Sequence, residues 1–146
     1  MRSSLTLMTL TLGAASAACH PDVVLARRGR IEVTGATATP SIGDAGIAYF
    51  RIRNMGPGAD TLASVRGPAM ARADLMGTTG GRMFYLAPPI LLPGHSLEMA
   101  PGGIHVMLSR LPREYLIGDT IPLVLEFEVA GALAMQIPVR PLGARW

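Results

Sequence analysis

His105 and Met107 are the residues whose types and spacing best suit the grip of a soft metal ion. They lie in Gly102-Gly103-Ile104-His105-Val106-Met107-Leu108. Strand alternation sends Ile104, Val106 and Leu108 to one face and His105 and Met107 to the other, about 6–7 Å apart for two residues at ~3.3 Å rise. An imidazole and a thioether at that spacing both reach one ion. The two glycines before the strand allow a tight backbone turn. A surface histidine beside a gap-filling methionine would carry the same letters, so the pair alone leaves both readings open.

A second group lies upstream, in Asp74-Leu75-Met76-Gly77-Thr78-Thr79-Gly80-Gly81-Arg82-Met83-Phe84-Tyr85. Its glycine- and threonine-rich centre, flanked by apolar residues, predicts a hairpin. Pairing Met76 with Met83 sets Asp74 opposite Tyr85, and directly opposed residues share a face. Asp74, Met76, Met83 and Tyr85 are then expected as one patch, with Leu75 and Phe84 on the other face. Met is also a flexible filler, so a small hydrophobic cluster beneath a loop explains the two methionines equally well.

The elements that must position these residues read as one all-β domain. From Arg30 onward, short runs alternate apolar and polar residues, with Gly or Pro between them, as in an antiparallel β-sandwich. Ala48, Phe50 and Ile52 alternate with Tyr49, Arg51 and Arg53, which predicts one buried and one wet face. Ile121, Leu123, Leu125, Phe127 and Val129 alternate with Pro122, Val124, Glu126 and Glu128. With Leu133, Met135, Ile137 and Val139 after Ala130-Gly131, they predict a C-terminal hairpin over 121–139. The domain is expected over 30–146, after a linker over 19–29.

Residues 1–18 read as an export signal. Met1-Arg2 is a positive n-region, the stretch from Leu5 to Ala18 is uncharged and ends in small residues, and at that length it falls short of the ~20 residues a membrane helix needs. Export would place the protein in the periplasm or at the envelope. Cys19 is the one cysteine, so no disulfide forms within the chain. Three readings of it stand open. It is the acylated first residue of a lipoprotein, although Ser16 stands where such a signal normally has Leu. Or it is part of a bland tail. Or cleavage after Ala17 leaves Ala18-Cys19-His20, a terminus able to chelate Cu(II) or Ni(II) through nitrogens.

Composition removes other classes. At 146 residues, with 49% hydrophobic and 16% charged residues, the chain is neither disordered nor multidomain. Its 17 Gly and 12 Pro argue against a helical bundle. The formal charge is +3, with all 13 basic residues arginine and scattered, and aromatics are only 5%. Nucleic acid is therefore excluded as a partner, since its surfaces need clustered basic residues and stacking rings. No GxSxG, HExxH, P-loop or CxxC occurs, so an enzyme is not expected. His95, after Pro93-Gly94, reads as a solvated turn residue, and Glu126 with Glu128 as a solvated sheet face.

The segment from Ala48 to Val139 resembles the periplasmic copper chaperones of the PCu(A)C type. The stretches that carry the likeness are Ala48-Tyr49-Phe50-Arg51-Ile52-Arg53-Asn54, Ala59-Asp60-Thr61-Leu62, Pro101-Gly102-Gly103-Ile104-His105-Val106-Met107-Leu108, Gly118-Asp119-Thr120-Ile121-Pro122-Leu123 and the Phe-x-x-Ala-Gly of Phe127 to Gly131. The resemblance implies a cupredoxin-like, Greek-key β-sandwich that binds Cu(I) through His and Met. It also implies delivery of copper toward the Cu(A) centre of cytochrome oxidase, to an oxidase subunit or its assembly factors. His105 and Met107 match the family's His-x-Met. The family's first histidine falls on Asp74 and its first methionine on Tyr85, so two of the usual ligands are substituted. Cu(I) prefers sulfur and imidazole to carboxylate or phenol. A rearranged set of His105, Met107, Met83 and Met76 is therefore the chemically sensible site. Asp74 with His105 would instead suit Cu(II) or Zn(II). An envelope interaction module with a degenerate site is the remaining alternative.

Overall fold

Every regular element in the computed structural model, which describes residues 23–143, is a strand. The order is β1 (Val24–Arg28), β2 (Ile31–Ala38), β3 (Gly46–Asn54), β4 (Asp60–Arg66), β5 (Arg72–Thr79), β6 (Arg82–Tyr85), β7 (Ile90–Leu91), β8 (Ser96–Glu98), β9 (His105–Ser109), β10 (Thr120–Phe127) and β11 (Gly131–Pro138). One sheet runs β1-β2-β3-β9-β5-β6, with β8 also on β3, and the other runs β11-β10-β4-β7. All these strand pairs are antiparallel. The chain crosses between the sheets after β3, β4, β6, β7 and β9. The antiparallel sandwich expected from the alternation is the fold. Among the described residues no helix is long and apolar enough to cross a membrane.

The core sits where the alternation puts it. Val33, Ala48, Phe50, Ile52, Val106 and Leu108 are buried from the first sheet, and Leu62, Ile121, Leu123, Leu125 and Ile137 from the second. Apolar burial of this kind is the main driving force of a fold with no disulfide. Two buried polar residues organise the loops below it. Asn54 donates through Nδ2 to the Gly58 and Leu91 carbonyls, and its Oδ1 accepts from Gly56 N–H. The Asp60 carboxylate accepts from the backbone N–H groups of Thr61, Val129 and Ala130 at 2.8, 2.9 and 2.9 Å.

Three expectations need correction. Residues 24–28, read as linker, form β1, because β2 offers an open ladder on that side and Ala26 through Arg28 pair with Val33 through Ile31. Val129 is not an inward strand residue but is exposed. The strand ends at Phe127, where Asp60 captures the next amides and Gly131, at φ 78°, turns the chain into β11. Tyr49 is on the outer face yet buried, so that face is not wet along its whole length. The export signal, Cys19, His20 and residues 144–146 lie outside the described residues.

The β5–β6 hairpin also departs from the expected register. Met76 pairs with Tyr85, Gly77 with Phe84, Thr78 with Met83 and Thr79 with Arg82. The turn is therefore only Gly80-Gly81, both left-handed at φ 57° and 76°, the conformation a two-residue hairpin loop requires. Thr78 and Thr79, read as turn, are strand residues, since β-branched side chains favour extended backbone. The slip is two residues, so the faces survive. On the far face the Phe84 ring lies across Gly77, and a Cβ there would meet Phe84 Cζ at 2.5 Å.

Two substitutions test these supports. Asp60→Ala leaves three amides without their carboxylate and should cost ~3 kcal/mol in urea unfolding. A loss below ~1 kcal/mol would mean that water replaces the carboxylate freely. Gly77→Ala should cost about 1–2 kcal/mol by displacing the Phe84 ring, and Phe84→Leu in the same chain should recover most of it.

Candidate metal centre

The site is built on the outer face of the first sheet, where β9 lies between β3 and β5. The ladder sets Met76 opposite His105 and Asp74 opposite Met107. On the other side, Ile47 faces Met107. Because β6 continues the sheet, a single row runs Tyr85, Met76, His105 across three strands. The hairpin slip produced this row. Met83 moved from opposite Met76 to opposite Thr78, one diagonal step away, and Tyr85 took its place. Directly opposed Cβ atoms lie ~4.5–5.5 Å apart and diagonal neighbours about 7–8 Å, within reach of long side chains.

His105 is the anchor of this face. It is only 4% exposed, and its ring sits 6.4 Å from that of Tyr49, tilted 56°. Burial pushes the Tyr49 phenol above its ordinary pKa, which keeps that neighbour uncharged. His105 Nδ1 lies 3.1 Å from the Gly103 carbonyl oxygen. A carbonyl can only accept, so Nδ1 carries a proton and Nε2 is the nitrogen left to meet a metal. Nε2 is buried and has no hydrogen-bond partner among the described residues. Buried polar atoms are otherwise paired as a rule, and this orphan is what a metal-ligating imidazole looks like when its second nitrogen is held by a backbone carbonyl. The Pro101-Gly102-Gly103 turn that supplies the carbonyl is closed by Gly103 N–H to the Ala100 oxygen, 3.0 Å, with Gly102 left-handed.

Around His105 the donors grade from covered to open. Met107 and Met76 are half-buried, whereas Met83 is 59% exposed and Tyr85 lies outward beside it. Asp74 is half-buried, and its carboxylate pairs with Arg72, two residues away on the same face, at 3.4 Å. It stands diagonal to His105 rather than opposite it. Among the described residues no group of three or more His, Cys, Asp or Glu could hold a metal. The His105 face offers imidazole and thioether groups, which suit a soft ion better than a hard one.

Of the remaining candidates His95 falls where the sequence put it, whereas Glu126 and Glu128 do not share a strand face. His95 is exposed in its turn, with Nδ1 3.0 Å from the Pro93 carbonyl oxygen. Glu126 pairs with Arg66, and Glu128 lies beyond the strand end. Sequence reasoning missed Asn54 and Asp60 as loop organisers, although both stand in the stretches that carry the family likeness. Their buried, multiply bonded side chains leave no periodic signal. It also missed that Tyr49 closes over the site face.

No curated protein matches the sequence. The apo PCuAC domain of PmoF2 superposes with a TM-score of 0.71 at 20% identity, over 83% of this chain and 98% of that one. The copper-bound PCuAC domain from PmoF2 gives 0.67 at 20% identity, over 79% and 96%. Apo-DR1885 from Deinococcus radiodurans gives 0.57 at 22% identity, over 97% of each chain. At these identities the likeness establishes a shared fold, the cupredoxin-like sandwich of PCuAC domains. A family profile matches residues 30–139, which include both strand pairs of the site, and on that match the chain belongs to the LpqE-like lipoprotein family.

Proposed function

We propose that this protein is an exported Cu(I) carrier of the PCu(A)C type, binding the ion through His105, Met107 and Met76, with Met83 as the outermost donor. The observation that carries this reading is the buried, unpartnered Nε2 of His105 opposite Met76 on the ladder. The imidazole supplies one strong, oriented nitrogen, and the thioethers supply soft sulfur that hard cations do not favour. The copper-bound state of a relative with the same fold supports copper as the cargo. Asp74 and Tyr85, at the substituted family positions, are not ligands in this reading. The Asp74 carboxylate is engaged by Arg72, which argues against an oxygen-rich site for Cu(II) or Zn(II).

A carrier must release as well as bind. Met83, at the open end of the donor row, is where an acceptor's ligands first reach the ion, while His105 holds the inner position. The acceptor would be a cytochrome oxidase subunit or one of its assembly factors, as the resemblance implies. The protein itself has no catalytic part in this reading. Export follows from residues 1–18, and Cys19 at the signal junction would carry a lipid anchor, in keeping with a lipoprotein family.

Competition for Cu(I) against a calibrated chelator under reducing conditions tests the site. His105→Ala should weaken binding by about 100-fold, Met76→Leu or Met107→Leu by about tenfold each, and Asp74→Ala hardly at all. Equal affinity in wild type and His105→Ala rejects the reading. Saturating Cu(I) should also stabilise the wild type by about 2.7 kcal/mol at a hundred times Kd. A melting temperature unmoved by Cu(I) would instead support an interaction module that keeps the sandwich without a working site.

A further inference from the structure

We propose that the end of the sandwich at which the chain enters is a membrane-seating surface, with Ile42, Met70, Leu116, Ile117 and Leu142 resting on the bilayer interface. This rests on the reading that Cys19 carries the anchor.

The registers gather three connections and the segment after β11 at one end. Ala38 lies beside Ala48, Gly46 beside Leu108, Arg72 beside Ser109 and Thr120 beside Pro138, and Ala38 bridges to Val139. The segments 39–45, 67–71, 110–119 and 139–143 therefore share that end. Each presents a large exposed apolar side chain, Ile42 at 88% and Met70 at 87% being the extremes. Turn tips ordinarily carry polar residues and glycine. A single exposed apolar residue needs no explanation, but one on every connection of one end marks an interaction surface. At the other end Met55, Met83, Ile90, Leu92 and Val129 are also exposed, but the turns at Gly29-Arg30 and Gly80-Gly81 carry no apolar tip.

These tips are held in place. Ile42 and Ala45 exchange backbone hydrogen bonds of 2.8 and 3.2 Å. Leu116 N–H donates to Asp119 Oδ2 at 2.9 Å, and Asp119 N–H donates to the Leu116 oxygen at 3.0 Å. Arg113 pairs with Asp119 at 2.8 Å and covers the Tyr115 ring at 4.1 Å, so the charges behind Leu116-Ile117 are internally neutralised. Across this end Arg110, Arg113 and Arg140 stand against Asp44, Glu114 and Asp119. The balance leaves apolar contact, not anionic lipid, as the attraction.

The tether selects the same end. Val24 pairs with Thr34, toward the Ala38 end of β2, and Val23 precedes it. Cys19 is four residues before Val23, a reach of at most ~14 Å. From Val23 to Arg28, at the far end of β1, is about 16 Å, longer than that reach, so a lipid on Cys19 stays on the seat side of the far end. The copper row lies away from the seat. Met76–His105 stands four ladder steps from Arg72–Ser109, about 13 Å toward the Gly80-Gly81 turn.

The test couples the mature chain, residues 19–146, through its one cysteine to a maleimide lipid in phosphatidylcholine vesicles with brominated acyl chains. Leu116→Trp and Val129→Trp are each made with Trp146→Phe. Emission of Leu116→Trp should fall about twofold, as expected for a side chain seated at the acyl boundary, and that of Val129→Trp should hold. The difference should persist at high salt. Leu116→Trp emission that is unquenched, or quenched no more than Val129→Trp, overturns the proposal; concentration-dependent sedimentation would then assign the face to a second copy. The chemical tether replaces the acyl chain, so a membrane-extracted native chain without acyl mass overturns the anchor, separately from the seat.

Discussion

The bond from His105 Nδ1 to the Gly103 carbonyl decides what the rest of the site can be. It holds the ring by Nδ1 and leaves Nε2 buried, with no hydrogen-bond partner among the described residues. Such an orphan costs stability that apolar packing elsewhere must offset. The sequence elements nearby serve that bond. Gly102 takes a left-handed φ of 78°, the Ala100–Gly103 turn closes behind it, and the ladder to β5 holds Met76 across from the ring. The Thr37 hydroxyl, on the residue paired with Tyr49, is likewise buried without a partner among the described residues, so this side of the sheet departs from full polar satisfaction at two positions.

Other buried polar groups show the contrast. Asn54 and Asp60 satisfy their side-chain atoms with backbone partners across long sequence separations, and they hold loops at the end opposite the proposed seat. On the proposed reading, the buried Nε2 of His105 stands apart from these saturated groups as the nitrogen kept for the ion.

The faces of the strands were legible in the sequence because side-chain alternation has a fixed period of two. That period gave the core face of β3, β9 and β10, and it kept Asp74, Met76, Met83 and Tyr85 together even when the hairpin register slipped. Register itself was not legible there. Both faces of the hairpin mix polar and apolar residues, so no burial pattern penalises a two-residue slip, and only the need for left-handed backbone at Gly80-Gly81 selects the observed turn. Strand β1 was missed because an edge strand exposed on both faces has no alternation to read. Tyr49 was assigned to water because periodicity reports direction, not what neighbouring rows cover.

The substituted positions make sense as parts of the same row. An aspartate opposite Met107 would be a harder competing donor, but Arg72 two residues earlier occupies it at the sheet's own spacing. Tyr85, opposite Met76, adds an apolar ring edge beside the thioether at the solvent boundary. In the proposed site, what the row loses in ligand number at Asp74 and Tyr85 it would recover in sulfur at Met76 and Met83. The donors then run outward along one direction of the sheet, from a buried nitrogen to an exposed thioether. On the proposed reading, that gradient supplies both halves of a carrier's task. The inner imidazole sets retention, and the outer sulfur lets an acceptor add its ligand before the inner bond breaks, so the ion need not pass through water.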